Sequence, residues 1–316
     1  MFEKEDRWLR ETYVDLLIEY AKKDDRIVIL EADLSNAGGT KRFTAEFDGK
    51  RTIDCGIQEA NMIGTAAGMA AMGKIPFTHT FTPFATRRVL DQVTLSVSYA
   101  GMNVKMMGSD PGVTAEMNGG THMSMEDVSI MRNIPGMVIY EPVDSAQLKA
   151  IFPQLLEHDG PVYIRLLRRN ARKIWEDGEE FTLGKGKLMR EGKDVSIFCS
   201  GIEVAEAMEA AEKLAKEGIE AEVINIHTIK PIDSEMVLAS VSKTGAAVTA
   251  ENQSIIGGLG SAVAEVLVEN CPAPLKRVGV KDHFGEVGTT DYLMDKYGLR
   301  ASDIVKAAKE AISMKK

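Results

Sequence analysis

Short apolar runs alternate with stretches of helical periodicity along most of the chain. Glu11–Lys22 repeats apolar residues at helical spacing, and Arg26-Ile-Val-Ile-Leu after it is a compact β-branched run. Ile75-Pro-Phe-Thr-His-Thr-Phe, Asn103-Val-Lys-Met-Met, Gly136-Met-Val-Ile-Tyr and Pro161-Val-Tyr-Ile-Arg-Leu read as further strands, with helices over Glu59–Met72 and Ser145–Leu156 between them. Continuously apolar strands separated by helices predict a parallel sheet covered on both faces. The rhythm breaks near residues 170–192. Arg169–Glu180 is charge-dense, and Gly184, Gly186 and Gly192 follow, which predicts a linker or an edge hairpin. A second series then begins: a strand from Asp194, an amphipathic helix over Glu203–Glu217, and strands from Glu220, Gly245 and Leu275. A helix over Ala301–Met314 ends it. The pattern predicts two doubly wound α/β domains with mainly parallel sheets, residues 1–185 and a smaller 186–316. In such domains ligands bind at the carboxyl ends of the strands.

Composition narrows the function. The 316 residues carry 38 Lys+Arg against 47 Asp+Glu, a net charge of −9, which disfavours nucleic acid as the main partner. Hydrophobic residues at 44% and charged residues at 27% are globular values, so disorder is excluded as the main state. No run of 18 uncharged apolar residues occurs, and Met1-Phe-Glu-Lys-Glu-Asp-Arg has no apolar signal segment. The three cysteines, Cys55, Cys199 and Cys271, are far apart, which excludes a disulfide framework and a CxxC clip. A cytoplasmic protein is expected.

Several motifs are absent: GxxxxGK[ST], HExxH, GxSxG and any metal-ligand spacing among the five histidines at 79, 122, 158, 227 and 283. Gly257-Gly-Leu-Gly-Ser-Ala resembles a dinucleotide fingerprint but fails at Val263, where its third glycine would stand, so it reads as a tight strand-to-helix turn. The informative region is Asp54–Asp127. Glu59 falls in the first turn of a helix, where a carboxylate suits the dipole. The helix continues as Gly64-Thr-Ala-Ala-Gly-Met-Ala-Ala-Met-Gly, whose small apolar residues predict burial on all sides. A sequestered carboxylate at its head is a functional candidate. Phe81 and Phe84, three apart after a strand, are either core aromatics or the walls of a pocket for a flat ring. Gly119-Gly-Thr-His suggests a loop that holds His122 into a cleft.

Together these segments resemble the C-terminal half of a transketolase, specifically the separate C-terminal subunit found where transketolase is split into two chains. The resemblance rests on Glu31-Ala-Asp-Leu-Ser, Gly56-Ile-Gln-Glu-Ala-Asn-Met, Thr80-Phe-Thr-Pro-Phe, Gly119-Gly-Thr-His, Ile226-His-Thr-Ile-Lys-Pro-Ile-Asp, Ile255-Ile-Gly-Gly-Leu-Gly-Ser-Ala and Asp282-His-Phe-Gly-Glu-Val-Gly, in order over nearly the whole chain. It implies a pyrimidine-binding domain, a C-terminal domain, and thiamine diphosphate chemistry that transfers a two-carbon ketol unit from a ketose to an aldose. It implies that Glu59 hydrogen-bonds the aminopyrimidine, with Phe81, Phe84, Arg87 and Asp33 around the cofactor; Arg87 stands where many relatives carry a third aromatic. It implies His122 beside the reacting sugar, and Arg168 and Arg10 on a phosphate end. Asn118 replaces a common Asp that contacts donor hydroxyls. Asp110 replaces a phosphate-contacting His in many relatives, and a carboxylate there repels phosphate, which points to an unusual donor. No GDG occurs in the chain. In this family a GDG…N motif holds the diphosphate and its Mg²⁺, so an N-terminal partner subunit and an α2β2 assembly are implied, with no metal ligands in this chain. The alternatives are a 2-oxo acid dehydrogenase β-type subunit, half of a deoxyxylulose phosphate synthase, or a non-catalytic regulatory subunit.

Overall fold

The computed structural model describes residues 2–315 and forms two sheets, each with helices on both faces. The first sheet has seven strands in the order β10-β5-β6-β4-β3-β1-β2. They are β1 (Ile27–Glu31), β2 (Thr52–Asp54), β3 (Ile75–Phe81), β4 (Lys105–Ser109), β5 (Val138–Tyr140), β6 (Val162–Leu166) and β10 (Thr228–Lys230). All pair in parallel except β10, which lies antiparallel to β5. The second sheet has five, in the order β12-β11-β8-β9-β7. These are β7 (Lys187–Arg190), β8 (Val195–Cys199), β9 (Ala221–Asn225), β11 (Ala247–Ser254) and β12 (Leu275–Val280), parallel but for β7 against β9.

The central strands are buried along their whole length, as their continuous apolar runs require. Helices Leu9–Ala21 and Ser145–Glu157 cover one face of the first sheet, packing Tyr13, Leu17, Leu148 and Phe152 against Phe77 and Ile164. Helix Glu59–Ala71 and the π-helical turn Val93–Tyr99 cover the other, with Met62, Ile63, Ala66 and Val97 on Val28, Leu30 and Met106. In the second sheet Glu203–Ala215 and Ala301–Ser313 cover one face, and Ser234–Thr244 and Leu259–Asn270 the other. The segment read as a linker or hairpin supplies β7, an edge strand.

One expectation fails. The small-residue helix Glu59–Ala71 is not buried on all sides: Ala60, Asn61, Gly64, Gly68, Ala71 and Met72 face outward. The sheet covers only one side of it, and no heavy atom lies within 4 Å of where a Cβ at Gly64 or Gly68 would stand. Ile57, Met72, Leu95 and Tyr99 are 72%, 85%, 54% and 88% exposed nearby, a large apolar area for one surface.

The two sheets are joined through polar groups as well as through chain. Arg165 of β6, 1% exposed, donates to Asp127 Oδ2 at 2.7 Å, to Glu141, and through Nη2 to the Asn252 carbonyl of β11 at 2.7 Å. The Asn252 side chain in turn accepts from Val113 N (2.9 Å) and donates to Pro111 O (3.0 Å). A buried cation needs this degree of pairing to offset its lost hydration. β10 adds a second crossing, since residues from the later half of the chain complete the first sheet. Among the described residues no helix is long and apolar enough to cross a membrane.

Candidate active site

The carboxyl ends of β1, β2, β3, β4 and β6 open on one edge of the first sheet, and the candidate residues gather there. After β2, Asp54 Oδ1 accepts from the amides of Gly56 (2.9 Å) and Asp33 (3.0 Å), tying two loops together. The turn delivers Glu59 as the first residue of its helix, 3% exposed. Its Oε1 accepts from Arg88 Nη1 at 2.6 Å, and Thr80 Oγ1 lies 3.5 Å away. The Arg88 guanidinium lies 3.6 Å from the Phe84 ring centroid, a cation–π contact.

Phe81 ends β3 and Phe84 lies in the single turn Thr82–Ala85. With His122 they form a three-ring cluster: Phe81–Phe84 centroids 6.3 Å apart, Phe81–His122 5.7 Å and Phe84–His122 5.1 Å, all edge-to-face. The loop that carries His122 explains its glycines. A Cβ on Gly120 would stand 2.3 Å from the Gly285 carbonyl oxygen of the second domain, so only glycine allows the two segments to pass. His122 Nδ1 lies 2.9 Å from Thr121 Oγ1. Arg87 braces the same loop, donating to Thr121 O (3.1 Å) and Glu126 Oε1 (2.7 Å).

Arg10 and Arg168 lie at the other end of the cluster. Arg168 Cζ is 5.7 Å from the Phe81 centroid, and its Nε is 2.9 Å from Asp110 Oδ2. Burial pushes the Asp110 carboxyl up to about 6, with Arg168 and Arg169 pulling the other way. Arg10 donates to the Ala37 carbonyl and stacks on Trp8 at 4.3 Å. Glu59, Phe81, Phe84, His122, Arg10, Arg168 and Asp110 thus share one edge. Asp33 and Asn118 are exposed, the former held at φ 56° with its amide on Asp54. Arg87 turns to the His122 loop, and Arg88 takes the place against Phe84.

A buried polar chain lies beneath the site. Register places Glu31 of β1 beside His79 of β3, with Nδ1 3.3 Å from Glu31 Oε1. The far ring nitrogen meets Tyr13 Oη at 3.0 Å, and Thr40 donates to Glu31. Glu31 and His79 are not among the residues that the sequence singles out, whereas Asp33 is. The available signal was polar residues inside strands that are otherwise wholly apolar, next to their carboxyl ends.

Two other features of the fold have the outline of a site. Gly257 and Gly258 lead into helix Leu259–Asn270, whose Leu259 and Gly260 amides donate to the Glu251 carboxylate at 2.6 and 2.9 Å. A carboxylate of the chain itself fills the helix head, so the turn is structural. A cleft of about 310 Å³ opens between the domains, lined by Lys4, Arg169, Arg172, Glu116, Glu206 and Asp291 among others. Its named charges cancel, and Arg169–Glu116 and Arg172–Glu206 are already paired.

Comparison with known proteins gives a consistent result. The transketolase pyrimidine-binding domain matches residues 7–173, and the transketolase C-terminal domain matches residues 184–304. The chain is 70% identical over 311 residues to the 6-deoxy-6-sulfo-D-fructose transketolase subunit SqwH of Clostridium sp. (strain MSTE9), covering 98% of this chain and 96% of that one. It is 42% identical over 305 residues to a putative transketolase C-terminal section of Methanocaldococcus jannaschii, covering 96% and 95%. A solved split-gene transketolase, described as an inactive β4 tetramer, superimposes with a TM-score of 0.89 at 42% identity, covering 98% of this chain and 99% of that one. The Campylobacter jejuni transketolase shares the fold at a TM-score of 0.80 and 20% identity, covering 96% of this chain and 46% of that one.

Proposed function

The chain belongs to the transketolase family, as a subunit with its pyrimidine-binding and C-terminal domains, and from that premise we propose which reaction it serves and with which residues. It is the C-terminal half of a thiamine-diphosphate enzyme that moves a two-carbon ketol unit from 6-deoxy-6-sulfofructose to an aldose. The name of the 70% identical relative supports the donor. So does a carboxylate, Asp110, beside Arg168 at the end of the ring cluster.

The observation that carries the reading is Glu59, a buried carboxylate at the head of a helix beside Phe81, Phe84 and His122. The three rings and the carboxyl fit a flat heteroaromatic with a ring nitrogen at its edge. Glu59 would hold that nitrogen by a hydrogen bond, a role Arg88 fills in this structure. When bound, thiamine diphosphate supplies a nucleophilic carbon for a ketose carbonyl. The rest is positioning by this chain. Phe81 and Phe84 flank the ring and exclude water. The His122 imidazole exchanges a hydrogen bond or a proton with a sugar oxygen. Arg10 and Arg168 hold the anionic end of the donor by charge-assisted hydrogen bonds.

No GDG motif stands in this chain, so the diphosphate and its Mg²⁺ fall to an N-terminal partner, and the working enzyme is an α2β2 assembly. The outward face of helix Glu59–Ala71 suits such a contact, since Gly64 and Gly68 let another backbone approach closely. The split-gene relative, called inactive as a β4 tetramer, supports inactivity of this half alone. The test is ketol transfer by this chain with and without a chain carrying a GDG…N motif, with cofactor and Mg²⁺ supplied. Transfer only with both chains is expected. Full activity from this chain alone would overturn the split, and no transfer from any ketose would overturn the reaction.

A further inference from the structure

Four buried polar atoms without a hydrogen-bond partner gather where β4 and β6 end: Asp110 Oδ1 and Oδ2, Arg168 Nε and Arg10 Nε. Buried polar atoms in folded proteins are nearly always paired, so a cluster of orphans marks a place that a ligand completes. Arg168 Nε is close enough to Asp110 for an ion pair but lies outside hydrogen-bond alignment, leaving both groups with unused capacity. Burial, and then the neighbouring Arg168, hold the Arg10 guanidinium below its usual range. Ala37, which accepts from Arg10, lines a recess with Phe81 and Ser109, so the orphans adjoin the ring cluster. The other charges felt here are already paired and add nothing net: Glu11, which acts on Arg10, is half-exposed against Arg7 at 3.6 Å, and Glu116 pairs with Arg169.

We propose that Asp110 sets the charge of this subsite, so that it accepts a sulfonate monoanion and rejects a phosphate dianion. Resting on the donor reading above, it names the residue that makes the choice. Two guanidiniums less one carboxylate leave a single positive charge for the ligand to match. A sulfonate and a phosphate ester both present three oxygens on a tetrahedral centre, so shape separates them poorly. Charge separates them well. A sulfonate carries one negative charge throughout the physiological range, whereas a phosphate ester carries about 1.5 to 2 near pH 7. In a buried site the extra charge is weakly screened and faces the Asp110 carboxylate with no cation left to balance it. A neutral residue at 110 would free both guanidiniums for a dianion.

Asp110 has φ 55°, in the left-handed region, and its amide donates to the Leu166 carbonyl at 3.1 Å. Asn tolerates this conformation well and glycine adopts it freely, so Asp110→Asn and Asp110→Gly remove the charge with the backbone intact. The experiment measures kcat/KM of the assembled enzyme on 6-deoxy-6-sulfofructose and on fructose 6-phosphate, for the parent and both variants. The expected result is a fall of tenfold or more in the sulfonate-to-phosphate ratio, driven by a gain on fructose 6-phosphate. A ratio that stays within twofold in both variants, or falls without any gain on phosphate, overturns the role of Asp110. A parent that uses both donors equally well overturns the charge exclusion, and a parent inactive on the sulfonate overturns the donor reading. If a parent inactive on the sulfonate gains phosphate activity on Asp110→Asn, charge exclusion at this subsite still stands.

Discussion

Glu59 and Glu251 are both buried carboxylates at the place where a strand hands over to a helix, one in each domain, yet their surroundings differ. Glu251 is wholly buried and accepts from Leu259 N, Gly260 N and Gln253 Nε2, at 2.6, 2.9 and 2.6 Å. Two of those donors are backbone amides that cannot swing away. Burial still pushes its carboxyl up to about 7 against them. Glu59 has one close donor, Arg88, whose side chain is 41% exposed and free to leave. A structural carboxylate is saturated by fixed donors. On the proposed function, Glu59 is a carboxylate kept for a ligand, its capacity held behind a movable donor. Burial alone, the feature a sequence suggests most readily, does not tell the two apart.

The largest test of this contrast is Glu59→Gln in the assembled enzyme. Turnover should fall on the order of 10²–10⁴-fold, the range for losing a general acid–base group, while the melting temperature holds. If stability falls together with activity, Glu59 is as structural as its counterpart. Glu251→Ala should do the reverse: a stability loss of roughly 2–5 kcal/mol by denaturant titration, because two buried amides lose their acceptor. A loss under about 1 kcal/mol would remove its role at the helix head.

A smaller effect comes from His227, packed between Tyr140 and Phe181 where the two halves meet. Burial pushes its imidazole down to about 4, from an ordinary 6.5. Between those values the unfolded chain binds a proton that the folded chain refuses. Stability is therefore fully present above pH 6.5 and falls as pH drops toward 4, by about 2 kcal/mol at pH 5. His227→Gln should flatten that part of the acid limb; an unchanged pH–stability curve would show that another group is responsible. The smallest is Arg88→Ala, expected to cost about 1 kcal/mol, as for other ion pairs with an exposed partner. A cost of 3 kcal/mol or more would mean that Glu59 is committed to Arg88 and not held in reserve.

The fold was largely legible. Val162–Leu166, Val195–Cys199 and Ala221–Asn225 are apolar enough to announce strands buried on both faces, and helices between them imply parallel pairing. β10 was not legible, because Thr228–Lys230 is three residues without pattern and its partner β5 lies some 90 positions earlier. In the site, Phe81, Phe84 and His122 were nameable, and the structure brings their rings together. Arg87 was named from the resemblance, at the position where many relatives carry a third aromatic. The chain leaves helical geometry at Thr86 (φ −124°, ψ −87°) before turning again at Arg87–Val89. Arg87 therefore turns to Thr121 and Glu126, and Arg88 meets Phe84 instead. The Glu31–His79 pairing depends on strand register, which is a long-range property. The outward face of Glu59–Ala71 escaped because glycine and alanine suit a buried helix and an interface equally.

The Arg165 crossing has one more consequence. Its guanidinium grips the Asn252 carbonyl, and Asn252 grips Pro111 and Val113, so the two halves cohere without relying on the peptide that links them. A protease that nicks the exposed stretch at Glu176, Asp177 and Gly178 should yield two fragments that travel as one particle through a sizing column, and heating should give a single endotherm with equal calorimetric and van't Hoff enthalpies.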